Sequence, residues 1–334
     1  MSLFLPYWLR LACLCLSVGA LSYAVGLALA ALLGPAALRH IQAHAGALPR
    51  RAGRQALLLR LLPLALAALA VGGLCIPSYM QLEPHGDVER LGFGVLFAAV
   101  AGACLLLLAL GRVGWAALRS WRFGRACRLQ GEPRAAGGSR VLVLPGDGPM
   151  MALAGILRPQ LILTRPLWER LSPAQLEAGL GHERAHLRAR DNLKRLLLVA
   201  TPAPGARLAQ LEATWARYAE WAADDRAVAG DAHRSLHLAS ALLAVARMGP
   251  GPRLDSPAAS FLAPSSLTGA ATSGRDLADR IERLLAPPPP PAGTVSAIWA
   301  PACAWTAGSA LVLSFLLQPA TLLLAHQVLE IFAR

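Results

Sequence analysis

GHERAHLRARDN, residues 181–192, holds the pattern H-E-x-x-H in His182, Glu183 and His186. On a helix His182 and His186 stand at i and i+4, so both imidazoles leave the same face about one turn apart. Two ring nitrogens then reach one metal ion. Glu183, one residue on, sits at the edge of that face and can reach a metal-bound water without ligating the metal. With eight histidines in 334 residues, the pattern arises by chance in roughly one such chain in a hundred. A charged helix face that matches by accident therefore needs a second argument against it. A catalytic zinc site supplies the form of that argument, because it needs a third protein ligand beside an open fourth position.

Downstream, YAEWAADDRAV at 218–228 places Glu220 and Asp224 at i and i+4 on what reads as a second helix. Glu220 would complete a two-His, one-Glu site. Asp224 would accept a hydrogen bond from the second ring nitrogen of a ligating histidine. The alternative is a solvated acidic face after Arg217, since such spacing is common on helix surfaces. Beside the H-E-x-x-H, the ligand reading prevails. His233 and His237 are also i and i+4, without a third ligand in view, and read as a helix surface. With Tyr218 they are the candidates for stabilising a transition state.

The helix carrying the motif has an explicit start. Ser172-Pro173-Ala174-Gln175 puts Ser at the N-cap, Pro at the first turn and Gln at the third position, a capping box. Only Gly179 and Gly181 weaken it before Asn192, at ~1 kcal/mol each against alanine. Either another backbone packs close there, or a well-packed helix tolerates them. Upstream, residues 139–164 read as a small β-meander: Val141–Leu144, Met150–Leu157 and Leu161–Thr164, with PGDGP and RPQ as turns. An edge strand around Ala154, Gly155, Ile156 and Leu157 would hold an extended substrate by strand addition.

The surroundings of this segment are apolar. The chain is 55% hydrophobic with mean hydropathy +0.47, too apolar for an ordinary soluble domain. Its net charge of +13 is mostly arginine flanking apolar runs, which points to a lipid bilayer and not to direct nucleic-acid binding. Four stretches approach the ~20 residues a membrane helix needs: within 11–38, within 61–82, 91–111, and within about 298–325. Arg39, Arg50, Arg51, Arg54 and Arg60 follow the first, whereas Glu83, Asp87 and Glu89 dominate the next loop. Arg112, Arg119, Arg122, Arg125 and Arg128 follow the third, with Trp115, Trp121 and Phe123 interleaved in a basic helical continuation of that span. The excess of arginine marks the cytoplasmic side, so both termini read as outside and the H-E-x-x-H segment as cytoplasmic, in a multi-pass bacterial inner-membrane protein. The expected organisation is three membrane helices with basic flanks over 1–128, a cytoplasmic zinc domain over 129–286, a proline-rich spacer over 287–297, and a fourth membrane helix with a short outer tail over 298–334. Pro287–Pro291 would be a stiff polyproline spacer. The six cysteines show no metal-ligand spacing and no disulfide framework.

HERAHLRARD followed by EWAAD at 220–224 resembles a gluzincin-type metallopeptidase. Together with three spans before the zinc segment and one after, it resembles the BlaR/MecR antirepressor family, metallopeptidase family fifty-six. AGILRPQLILT resembles the strand–turn–strand ahead of that family's zinc helix, and LADRIERLLAPPPPP, 277–291, its lead into the last span. The resemblance implies an α+β membrane protein: four transmembrane helices, with a mainly helical gluzincin-like domain and its β-meander inserted between helices three and four. It implies Zn2+ held by His182, His186 and Glu220, with Glu183 as general base. The implied activity is peptide-bond hydrolysis in signal transduction, on a cytoplasmic transcriptional repressor or on the protein itself. There is one departure. The family's antibiotic receptors carry a penicillin-binding sensor needing S-x-x-K, but the single lysine is Lys194, and Asp191 stands three residues before it. Regulation is then expected from a separate sensor protein or the membrane. Two alternatives stay open: an HtpX-like quality-control protease, which usually splits its spans two and two, and a non-catalytic membrane signalling scaffold.

Overall fold

A computed structural model of the chain describes residues 3–44, 48–84, 89–202, 204–248, 274–286, 314 and 318–333. The chain divides into two compact units, one of residues 1–35, 58–110 and 292–334, the other of 36–57 and 111–291.

The first unit is built from apolar helices. Helix α1 covers Tyr7–His44; the basic α2 that follows, Pro49–Arg60, falls mostly in the second unit. Helix α3 (Leu62–Leu69) runs through a π-helical turn, Ala70–Cys75, into α4 (Ile76–Leu82). Helix α5 covers Phe93–Gln130. Three helical stretches, Tyr7–Ala43, Leu62–Leu82 and Phe93–Gln130, are long and apolar enough to cross a membrane. At ~1.5 Å per residue, α5 is about 57 Å long, nearly twice the ~30 Å hydrocarbon core. The expected basic continuation of the third span, residues 112–128, is indeed one unbroken helix with it. Small residues let the helices meet backbone to backbone: a Cβ on Gly26 would lie 2.5 Å from Pro63 Cα, and one on Gly102 would collide with the Leu16 carbonyl. Short strands β1 (Leu3–Leu5) and β2 (Glu89–Leu91) pair antiparallel. The fourth apolar stretch lies mostly outside the described residues, as do Pro287–Pro291 and the rest of the expected spacer. What is described there is α12 (Pro319–Ala333), an apolar helix of 15 residues.

The second unit holds a four-stranded sheet: β3 (Glu132–Ala136), β4 (Ser139–Leu144), β5 (Met151–Ala154) and β6 (Gln160–Thr164). The strand order is β3-β4-β6-β5, which corrects the expected meander. β6 lies between β4 and β5 and runs parallel to β4, Val141 opposite Leu161 and Val143 opposite Leu163. The reason is hydrophobic: Leu161, Ile162 and Leu163 are buried on both faces of the sheet, and such a run belongs at the centre. The reading of Met150–Leu157 as one strand is also corrected. β5 stops at Ala154, Gly155 takes φ 108°, a conformation suited to glycine, and Leu157 is exposed. Of the expected substrate strand, only Ala154 is in the sheet.

Among the described residues this unit also holds α6 (Arg165–Arg170), α7 (Pro173–Ala189), α8 (Asp191–Ala200), α9 (Ala206–Val228), α10 (Ala232–Arg247) and α11 (Gly274–Leu285). Strand alternation sorts the sheet's side chains. Val141, Val143, Met151, Leu153, Leu161 and Leu163 enter a core with Leu167, Leu176, Leu180, Leu238, Leu242 and Leu284 from the helices. On the other face Leu144, Met150, Ala152, Ala154 and Ile162 pack with Cys127 and Phe123 of α5. The capping box forms as read: Gln175 N–H donates to Ser172 Oγ (3.3 Å) and Ser172 N–H to Gln175 Oε1 (2.9 Å). Helix α9 lies against α7 at Gly181, where an added Cβ would touch Ala227 Cβ at 3.7 Å. That is ordinary van der Waals distance, so the packing at Gly181 leaves room for an alanine.

Candidate metal centre

Helix α7 supplies His182, Glu183 and His186, and α9 supplies Glu220 and Asp224. All five are buried. The two His Nε2 atoms are 3.1 Å apart. His182 Nε2 lies 3.4 Å from Glu220 Oε2, and His186 Nε2 lies 3.5 Å from Glu220 Oε1. Tetrahedral zinc with bonds of ~2.0–2.1 Å spaces its ligand atoms about 3.3 Å apart. The three donors therefore stand at the separation that zinc requires.

Each histidine is oriented from behind by a carboxylate. His182 Nδ1 is 2.7 Å from Asp224 Oδ1, as the i, i+4 spacing with Glu220 had suggested. His186 Nδ1 is 2.7 Å from Asp191 Oδ2. With protons on both Nδ1 atoms, both Nε2 lone pairs face Glu220. Asp191 arrives by a local device. Arg190 closes α7 in the left-handed region, φ 55° and ψ 40°, and the chain reverses so that Asp191, first residue of α8, reaches back to His186. Lys194 Nζ donates to the other oxygen of Asp191 at 2.7 Å.

Two buried arginines surround the third donor. Arg280, on α11, donates from Nε and Nη2 to the two oxygens of Asp224 at 2.8 and 2.7 Å. Its Nη1 lies 3.2 Å from Glu220 Oε2. Arg195, on α8, is 4.0 Å from Glu220 Oε1 and lies over the Trp215 ring. Both carboxylate oxygens of Glu183 are buried without a hydrogen-bond partner among the described residues. Such a pair of acceptors is expensive unless a ligand or water answers it.

The electrostatics follow from these contacts. Burial pushes the Glu183 carboxyl up to about 7, against the nearby histidines. Burial opposes a charged His182, but Asp224 and Glu220 together outweigh it and hold the imidazole up to about 9. Glu220 is held well below the ordinary carboxylate range, since His186, His182 and Arg280 overcome its burial. Asp224 and Asp191 are also held low against burial, Asp224 by Arg280 and His182, Asp191 by His186 and Lys194.

The remaining sequence candidates fall elsewhere. The Tyr218 ring packs edge-on to Trp221 with centroids 5.4 Å apart, and its residue is about 200° around α9 from Glu220. His233 and His237 are exposed at the start of α10 and join no metal-ligating group among the described residues. Ala154 is buried in β5, and Gly155, Ile156 and Leu157 form the turn after it. The outward backbone of β5 meets α8: Asn192 Nδ2 donates to Gly155 O at 2.7 Å and to Leu153 O at 3.4 Å. Asp191, Asn192, Arg195 and Arg280 were not singled out from sequence. Arg280 did carry a signal, because it interrupts the apolar stripe Leu277, Ile281, Leu284 of an otherwise amphipathic helix. A second group of donors, Glu83, His326 and Glu330, lies in the other unit.

Residues 140–249 match the model of peptidase family M48. The matched segment runs from β4 to the end of α10 and contains all three candidate ligands, Glu183 and Asp224. No curated protein and no solved structure matches the chain. The protein is thus a metallopeptidase, a hydrolase acting on peptide bonds, with three helices apolar enough to make it a membrane protein.

Proposed function

We propose that the protein is a membrane-bound zinc endopeptidase whose metal is held by His182, His186 and Glu220. The observation that carries this reading is the joint geometry of the site. Three donors stand at zinc spacing, and the Glu183 carboxylate lies buried beside them with no hydrogen-bond partner among the described residues. The donor set of two imidazoles and a carboxylate also suits zinc chemically. Bound there, zinc supplies Lewis acidity toward a water nucleophile and the scissile carbonyl.

The chain's own residues do the rest. Asp224 and Asp191 fix the imidazole tautomers and keep both Nε2 atoms available. Glu183 takes the proton from the attacking water and returns it to the leaving amine. In the metal-free protein burial holds this carboxyl up to about 7, and a cation bound beside it would lower it toward the base form that the first half of the transfer needs. The substrate runs along the edge strand β5, Met151–Ala154, in place of the Ala154–Leu157 segment expected for that role. Asn192 fixes the carbonyls at the end of this edge.

In the cell, the charge pattern of the loops supports four membrane helices, both termini outside, and the 129–286 domain on the cytoplasmic face of a bacterial inner membrane. The resemblance to the BlaR/MecR family supports signal transduction by cleavage of a repressor or of the protein itself, under a separate sensor. Quality control of membrane proteins is the second reading. It is favoured by the match to family M48, which carries the peptidase and leaves the role to be found.

Metal content of detergent-purified protein is the first test. About one zinc per chain is expected, lost or much weakened in Glu220→Ala. A folded wild type that takes up no zinc on reconstitution would overturn the reading. For the role, Glu183→Gln in the cell separates the options: a regulated operon locked off marks the signalling protease, and accumulating damaged membrane proteins mark quality control.

A further inference from the structure

The segment that matches family M48 ends at residue 249, yet the candidate metal centre does not end there. Helix α11, Gly274–Leu285, returns to α9 and α10 and seals its apolar side with Leu284, Leu277 and Ile281 in the core of the sheet. In the middle of that apolar stripe it buries an arginine. A buried guanidinium is costly unless charge and hydrogen bonds answer it, and here each arm of the fork has a partner in the site. Nε and Nη2 donate to the two oxygens of Asp224, and Nη1 stands 3.2 Å from Glu220 Oε2 as an ion pair. The same two carboxylates are the third candidate ligand and the group that orients His182.

We infer that Arg280 is a positioning residue of the metal centre: its fork sets Glu220 and Asp224 relative to each other, and α11 is therefore part of the zinc site. The inference rests on the zinc reading above. The geometric case is that one rigid planar group spans two carboxylates four residues apart on α9, which fixes their separation and rotamers together. A lysine is a point charge on a flexible stem and cannot hold both in this way. Asp224 held on both oxygens presents Oδ1 to His182 Nδ1 in one orientation only. Glu220 held at Oε2 keeps Oε1 and Oε2 turned to the two histidines. Arg280 touches neither substrate nor metal in this scheme and acts through the groups that do.

The neighbouring Arg283 provides the control. It lies on the same helix and donates from Nη2 alone to both oxygens of Asp225, at 2.7 and 2.8 Å, and Asp225 is not one of the candidate ligands. Loss of Arg283 tests the docking of α11 without touching the metal centre.

The experiment is a zinc competition titration against a chromophoric chelator, on the full chain in detergent, with cobalt(II) absorption as a second readout of ligand geometry. The variants are Arg280→Gln, Arg280→Lys and Arg283→Gln, each checked for fold by circular dichroism. Arg280→Gln is expected to weaken zinc by roughly 10–100-fold, as loss of a group that orients a ligand does, and to alter the cobalt bands. Arg280→Lys, which keeps the buried charge should the glutamine variant fail to fold, is expected to fall between that and wild type. Arg283→Gln should bind zinc as wild type does. Wild-type affinity and cobalt spectrum in Arg280→Lys, or in a folded Arg280→Gln, would overturn the inference and leave the zinc site standing. Equal weakening by Arg283→Gln would also overturn it, reducing Arg280 to a strut of α11. A wild type without zinc would remove the underlying reading instead.

Discussion

Among the described residues, two groups of side chains bring histidine and carboxylate donors within metal-binding reach of one another, and they differ in what stands behind them. In the α7–α9 group, His182, His186 and Glu220, every donor is buried and each histidine has its far nitrogen held by a carboxylate. In the other group His326 Nε2 lies 3.6 Å from Glu83 and 3.5 Å from Glu330. There Glu83 is paired with the buried Arg10, which cancels the charge a cation would seek, and Glu330 is about half exposed. Proximity of donors is common to both. The supporting carboxylates, and arginines placed behind the ligand without replacing it, belong to the first alone. That outer layer is what distinguishes the candidate metal centre from an ion-pair cluster of similar composition.

The largest expected effect tests whether the first group does chemistry. Glu183→Gln should lower kcat/KM on a cleavable peptide by about 10²–10⁴-fold, the usual worth of a general acid–base, with zinc content unchanged. Retained activity would make Glu183 no more functional than Glu330, whose change to Gln should alter neither quantity. Next, Asp191→Asn and Asp224→Asn should each weaken zinc by roughly 10–100-fold, measured by competition titration. Glu83→Gln, in the other group, should leave zinc affinity at the wild-type value, and a loss there would erase the distinction.

Acidity sharpens the contrast further. A metal must displace the proton that His182 keeps up to about 9, so zinc affinity should rise with pH from about 7 to 9, by up to ~10-fold per unit for one proton released. The metal-free protein should behave oppositely. His182 has a folded pKa above its ordinary 6.5, so its contribution to stability is complete below that value and is lost as pH rises through about 9. Glu183, raised from 4.5 to about 7, acts in the same direction over its own range. Melting of chelated protein at pH 6.5 and pH 9 would show the fall, and a flat profile would contradict it. The smallest effect concerns the turn that delivers Asp191. Arg190 sits at φ 55°, and a β-branched side chain is strained there. Arg190→Val should cost about 1–2 kcal/mol in thermal stability, whereas Arg190→Gly should not.

The candidate ligands were legible in the sequence because they obey helical spacing. His182 and His186 on one helix, and Glu220 and Asp224 on another, each sit one turn apart, and folding only had to bring two helices together. The start of α7 was equally legible, since a capping box is a local device. What escaped depended on contacts made elsewhere. Asp191 lay inside the very stretch that raised the question, but its role needs the left-handed Arg190, which no residue type announces. Arg280 lies 56 positions from Asp224, and only its place in an apolar stripe hinted at a buried partner. The sheet order was misread because a parallel pair joins strands that are not neighbours in sequence. The β5 strand was read too long because its apolar pattern continues through Gly155 after the backbone has turned.

Burial of the centre has a kinetic consequence. His182 and Glu183 expose none of their surface, and His186 exposes 1%. An ion seated among them has no direct path to a chelator in solution. Its departure waits on a local opening of the protein. Stripping by excess chelator should therefore reach a ceiling rate that more chelator does not raise, set by that opening together with release of the ion from its three ligands.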